Sequence, residues 1–321
     1  MNKKNDIYKI LESKFGDRFK DYRKKWDQIT EKKVFDYPLH LNFELVSGCN
    51  LNCEYCVRSS SFKKIKEKII SFDKYSEIIR EGVKNNLYSI ELNGLNEPLL
   101  QKEIGKYIKF AKDMGIMIIS LHTNATLLDK KMAISLIESG LTLLIFSVDA
   151  FKKETYEKMR KGANYERMVE NINNFLRIKK EMNVDFPLSK MAFIKNKINY
   201  NELVEYVKFW KDKVDVISTS HFCNPFEGED KYEDIEKRYR LDDFEIFPCT
   251  EPYQRLLISS NGVVYPCCSF FGENFPVGDV YKDSIKNIWN GKKMKKIRES
   301  INLDKQLSFC VKCRNSMKGK E

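Results

Sequence analysis

Between residues 39 and 220, apolar and polar positions alternate between strand-like and helix-like segments. Residues 39–46 are mostly apolar and extended in pattern, and Gly48 breaks the run. Similar runs follow at 88–92, 116–121, 143–148, 188–194 and 214–220. Helical periods fill the gaps. Asp73 is a good N-cap for a helix through about Lys84, and a helix over 102–114 stops at Gly115. Asp129 caps a third, which ends at Gly140. Residues 165–181 place Met168, Ile172, Phe175 and Leu176 on one face, and 199–210 completes the set. Six continuous apolar strands separated by helices predict an α/β fold with a parallel, helix-covered sheet.

The flanks read differently. Ile7, Leu11, Phe15, Phe19 and Tyr22 recur at three- and four-residue steps, which predicts an amphipathic helical lead-in over residues 1–37. The α/β region is then 38–222, and a cysteine-rich region occupies 223–321. Within the latter, 231–243 is charged without an obvious core face. Apolar residues flank Ser260-Asn261-Gly262, a hairpin signal. Residues 283–300, with Ile285, Ile288, Trp289 and Ile297, read as one helix.

Candidate chemistry is concentrated in cysteines. Cys49, Cys53 and Cys56 follow the first strand within eight residues. Thiolates are soft ligands that suit iron–sulfur clusters or zinc. Three on one loop hold three corners of a cubane cluster and leave its fourth iron open. A second set is Cys249, Cys267, Cys268, Cys310 and Cys313. The hairpin draws Cys249 and Cys267 together, and the following helix returns the chain so that Cys310-x2-Cys313 closes the site. Four cysteines so arranged suit structural zinc as well as iron–sulfur.

Composition narrows the class. The chain has 321 residues, 42% hydrophobic and 32% charged, enough for a sizeable core. No run of eighteen apolar residues and no signal peptide is seen, so a cytoplasmic, non-membrane protein is expected. Nine cysteines in that setting point to metal or catalysis before disulfides. The net charge of +11 is spread along helical faces beside Glu and Asp, and no nucleic-acid motif occurs. The charge agrees with a phosphate-bearing substrate or an acidic partner.

The loop Cys49-x3-Cys53-x2-Cys56, with Tyr55 before the last cysteine and a strand ahead of it, resembles the signature of the radical S-adenosylmethionine (radical SAM) enzymes. The resemblance implies a partial (β/α)6 TIM-like barrel whose chemistry sits at the C-terminal strand ends. It implies a 4Fe-4S cluster whose open iron is chelated by SAM, reductive cleavage to a 5′-deoxyadenosyl radical, and hydrogen abstraction from substrate. It also implies a flavodoxin- or ferredoxin-type electron donor. Four further motifs resemble the family's cofactor contacts. Gly94-Leu-Asn-Glu97 looks like the glycine-rich motif for the SAM amino group, with Asn96 in place of the second glycine. His122-Thr-Asn124-Ala125 looks like the Thr-Asn-Gly turn, with Ala125 for glycine. Ser147 and Asp149 end strand four, where such enzymes contact ribose, and Arg160 lies where relatives place an arginine near the SAM carboxylate.

The second cysteine set, Cys-x12-Gly262-x4-Cys, a gap, then Cys-x2-Cys, resembles the SPASM or shorter twitch extension. That resemblance implies one auxiliary 4Fe-4S cluster on Cys249, Cys267, Cys310 and Cys313, and its glycine-to-cysteine spacing selects Cys267 over Cys268. Four protein ligands leave no open iron, which favours electron transfer or a structural role. A barrel with one fully ligated auxiliary cluster is similar to the aminocyclitol dehydrogenase of butirosin biosynthesis. Oxidation of a sugar-like or nucleotide-linked alcohol is therefore the first expectation. The second is an epimerase, with Cys223 returning a hydrogen atom and His221 as acid or base. The third is a peptide or protein maturase, disfavoured because only about 37 residues precede strand one. A non-catalytic metal scaffold ranks last.

Overall fold

The computed structural model describes residues 4–58, 68–222, 249–302 and 306–316. The lead-in is two helices, α1 (Lys4–Phe15) and α2 (Asp17–Thr30). They part at Gly16, whose φ of 57° an α-helix does not admit. Leu11, Phe19, Tyr22 and Ile29 pack on Leu39, Tyr88, Met117 and Leu188, which stand at or just before the N-terminal ends of their strands. The lead-in thus closes the end of the barrel opposite the cysteine loop.

Strands β1 (His40–Phe43), β2 (Ser89–Glu91), β3 (Ile118–Thr123), β4 (Leu143–Ser147), β5 (Leu188–Lys195) and β6 (Val216–His221) pair in parallel in that sequence. Helices α3 (Phe72–Lys84), α4 (Ile104–Asp113), α5 (Lys130–Glu138), α6 (Lys153–Met159), α7 (Tyr165–Glu181) and α8 (Leu203–Trp210) cover them. The expected unclosed, six-strand α/β barrel is present. The N-cap of α3 is Ser71, whose hydroxyl accepts from the Lys74 amide, rather than Asp73; Asp129 caps α5 as read.

The sheet does not stop at β1. After the short helix α9 (Glu251–Gln254), β7 (Arg255–Ile258) pairs parallel to β1, and β8 (Val263–Tyr265) and β9 (Gly278–Asp279) extend the edge antiparallel. The hairpin that Cys249 and Cys267 flank therefore grows directly from the barrel sheet. The single helix expected over 283–300 is two, α10 (Ile285–Asn290) and α11 (Lys292–Asn302), parted at Gly291; α12 (Ser308–Asn315) follows.

The strands are not uniformly apolar. On the helix side, Leu41, Phe43, Ile90, Ile119, Leu121, Phe146, Met191 and Phe193 are fully buried in the main core. Each such side chain contributes roughly 2 kcal/mol. The alternate positions face the barrel interior and are largely polar: Asn42 stands opposite Glu91, and Glu91 opposite Ser120. His122, Ile145 and Lys190 form the next row.

Candidate active site

The cysteine loop leaves the C-terminal end of β1 and is pinned from two sides. Gly48, at φ 115°, turns the chain, and its carbonyl accepts from the Glu97 amide at 2.9 Å. Further along, the Asn52 and Glu54 amides donate to Lys161 O and Met159 O. The Tyr55 hydroxyl donates to Asp149 Oδ2 at 2.6 Å, and Arg160 Nη2 reaches the same oxygen at 2.5 Å. Asp149 Oδ1 accepts from the Ile194 amide. Asp149 is 1% exposed with both oxygens committed, so it braces the loop to β5 and Arg160.

Cys49, Cys53 and Cys56 are reduced, half-buried and within electrostatic range of one another. Burial pushes the Cys53 thiol up to about 12 and raises that of Cys49, so without a cation both stay protonated. Iron supplies the positive charge that exchanges for those protons. Among the described residues no three His, Cys, Asp or Glu side chains converge on a single ion. A cubane needs no such convergence, because each thiolate binds a different iron. The donor set fits a cluster.

Three strand ends meet beside the loop. Glu97, 2% exposed, accepts from the Leu99 amide (3.1 Å), the Thr123 hydroxyl (2.7 Å) and the Asn124 amide (2.8 Å). Burial raises its pKa, opposed by those hydrogen bonds. Asn124 Nδ2 donates to Asn50 Oδ1, between the first two cysteines. Asn96, at the glycine position of the motif, accepts from the Gly94 amide at 2.9 Å and so supplies the turn from its side chain. A Cβ on Gly94 would meet Glu44 at 3.1 Å. Ala125 adopts φ 62°, the conformation glycine holds cheaply. Ser147 lies on the inner row at the end of β4.

The second cysteine set also gathers. Cys249 lies within electrostatic range of Cys267, Cys310 and Cys313. Ser269 Oγ is 3.2 Å from Cys313 Sγ. Cys267 is buried, and its sulfur occupies a cradle against the backbone of Gly272 that a Cβ would fill. Burial pushes Cys249 up to about 11 and Cys310 up to about 12. These four thiols fit a fully ligated cluster. Cys268 turns the other way: its thiol lies 3.4 Å from Glu251 Oε2, which also meets Arg255 Nε at 3.0 Å.

His221 ends β6, at the rim where the cysteine loop emerges, and Cys223 lies outside the described residues. The residues that the sequence reading missed line the barrel interior. Asn42 Nδ2 donates to Glu91 Oε1 at 3.0 Å, and His122 Nε2 stands 3.8 Å from Glu91 Oε2. Lys190 acts on His122, and Arg255 and Cys268 lie in electrostatic range of Glu91. The period-two polar positions in His40-Leu-Asn42-Phe-Glu44 and Ser89-Ile-Glu91 carried the signal.

Comparison with known proteins gives two family matches: "Radical SAM superfamily" over residues 43–209, and SPASM, "Iron-sulfur cluster-binding domain", over 249–314. A GTP 3',8-cyclase of Alkaliphilus metalliredigens is 28% identical over 43% of this chain and 43% of its own length. One from Aliarcobacter butzleri is 22% identical over 84% of this chain and 88% of its own. The first of these alignments thus spans less than half of the relative. Among solved structures, Streptococcus suis SuiB bound to S-adenosylmethionine matches with a TM-score of 0.67 and 17% identity, over 92% of this chain and 75% of that one. AdoMet-bound anSMEcpe matches at 0.62 and 20%, over 86% of each chain. BtrN with AdoMet and 2-DOIA matches at 0.53 and 17%, over 84% and 87%. At these identities the structural likenesses show the fold.

Proposed function

Because the chain belongs to the radical SAM superfamily and carries a SPASM region, we propose that it oxidises an alcohol carbon of a small polar substrate, sugar-like or nucleotide-linked. When bound, SAM and its cluster supply a 5′-deoxyadenosyl radical, and an auxiliary cluster supplies a one-electron acceptor. Cys49, Cys53 and Cys56 would hold the first cluster, and Cys249, Cys267, Cys310 and Cys313 the second. Glu97 and Asn124 offer acceptors to the SAM amino group, Ser147 offers a hydroxyl at the ribose rim, and Arg160 offers a cation near the carboxylate. The Tyr55–Asp149–Arg160 brace keeps the loop fixed against that rim.

The observation that carries this reading is the polar interior of the barrel. Asn42, Glu91, His122, Lys190 and Arg255 present hydrogen-bonding groups below the cluster loop, suited to hydroxyls. SuiB has been solved bound to its precursor peptide SuiA, so peptide modification is the second reading. The test is anaerobic turnover of reconstituted protein with SAM and dithionite, offered UDP-glucose, UDP-N-acetylglucosamine or myo-inositol. A trapped ketone formed together with 5′-deoxyadenosine supports alcohol oxidation. Cleavage of SAM without ketone from any of them turns the search to peptides and to GTP.

A further inference from the structure

We propose that His122, diagonally beside Glu91 on the neighbouring strand and on the inner face of the barrel, is the catalytic residue that takes the hydroxyl proton of the alcohol during its oxidation. The inference rests on the alcohol reading above and adds the missing proton acceptor. Removing a hydrogen atom from the carbinol carbon of a secondary alcohol leaves a carbon radical that still bears its hydroxyl group. Forming the C=O bond then breaks the O–H bond, sending one proton to a base and one electron to an acceptor. The auxiliary iron–sulfur group is the acceptor by class, and no cysteine thiolate bound to iron is available as the base.

The geometry selects His122. Its ring nitrogen Nε2 stands 3.8 Å from Glu91 Oε2, outside hydrogen-bond reach, and about a third of the side chain (35%) is touched by solvent. Desolvation nevertheless lowers its pKa. Two charged groups face it. Lys190 on β5 disfavours a second positive charge, and the Glu91 carboxylate on β2 favours one. Arg255 on β7 bears on Glu91 in turn. The imidazole is therefore neutral at pH 7 and able to accept. Once protonated, it has a carboxylate within an ion pair's reach. Asn42 fixes the other oxygen of that carboxylate, so Glu91 is aimed at the ring. The His122 backbone amide is held by Asn93 Oδ1 at 3.3 Å, which fixes the side chain's origin. The other two histidines differ. His40 is buried at the opposite end, bonded to Ser89 Oγ, and His221 ends the last parallel strand.

The experiment uses reconstituted holoenzyme with SAM, dithionite and each of the three alcohols named above. Wild type, H122Q and E91Q are compared at equal iron content, which reports that the variants fold and load. For wild type, ketone formed per 5′-deoxyadenosine should fall on an acid limb below pH 6.5, the ordinary histidine value. E91Q should move that limb to lower pH, because the carboxylate that favours the imidazolium is gone. H122Q should cut ketone per 5′-deoxyadenosine at least tenfold and abolish the limb. Ketone formation by H122Q at the wild-type ratio and with the wild-type acid limb overturns the role of His122 alone. Absence of ketone from all three alcohols with wild type overturns the alcohol reading, and this inference with it.

Discussion

The Sγ of Cys267 lies 2.6 Å from the point where a Cβ on Gly272 would stand. No side chain at 272 leaves the sulfur where it is. Gly272→Ala should therefore displace one ligand of the auxiliary site while the three cysteines of the first loop stay intact. Iron per reconstituted chain should fall by roughly half, with SAM cleavage retained. Unchanged iron content would show that the sulfur has room to spare.

Asp149 carries the brace of the first loop. Asp149→Asn removes the anion that pairs the buried Arg160 guanidinium, at a cost of about 3–5 kcal/mol. Thermal or urea unfolding should show the loss, and iron at the first site should become labile to chelators. Tyr55→Phe removes only the hydroxyl at 2.6 Å and should cost less, about 1–2 kcal/mol.

Glu97 accepts three hydrogen bonds and stands beside Asn124. Glu97→Gln keeps the size but not the charge. SAM affinity, measured by equilibrium binding to reconstituted protein, should weaken by about tenfold, near 1.4 kcal/mol. Equal affinity would remove Glu97 from the SAM contacts.

Glu273 gives a pH signature. Burial, reinforced by Glu44, pushes its carboxyl up to about 7 from 4.5, against the pull of Arg58. The folded state thus holds a proton that the unfolded chain releases between those values. Wild-type stability from this group is undiminished below about pH 4.5 and declines as pH rises toward and past 7. Glu273→Gln removes that penalty. It should be more stable than wild type by about 1–2 kcal/mol at about pH 8 and equal to it near pH 4.5. The urea midpoints at both pH values check the sign.

Some of this was legible in the chain and some was not. The cysteine spacings and the order of the rim motifs stand in the sequence whatever the packing, whereas the assignment of seven cysteines as cluster ligands is what the family resemblance implies. The family resemblance favours Cys267 over Cys268 as a ligand; in the structure Cys267 is buried against Gly272, and Cys268 meets Glu251. The break at Gly16 was missed because the apolar period runs through it on both sides. The cap at Ser71 was missed because Asp73 offered an equally good side chain. The polar interior was missed for a different reason. Each strand has only two or three inner positions, and reading the strands as apolar runs hid the alternation that puts Glu91 and His122 on the same inner face, one row apart on adjacent strands.

The most direct measurement is 5′-deoxyadenosine formation by anaerobically reconstituted protein given SAM and dithionite, set against the Cys49/Cys53/Cys56-to-Ala triple variant. The account predicts product from the wild type and none above background from the variant. Equal product from both, or none from fully iron-loaded wild type, would contradict it.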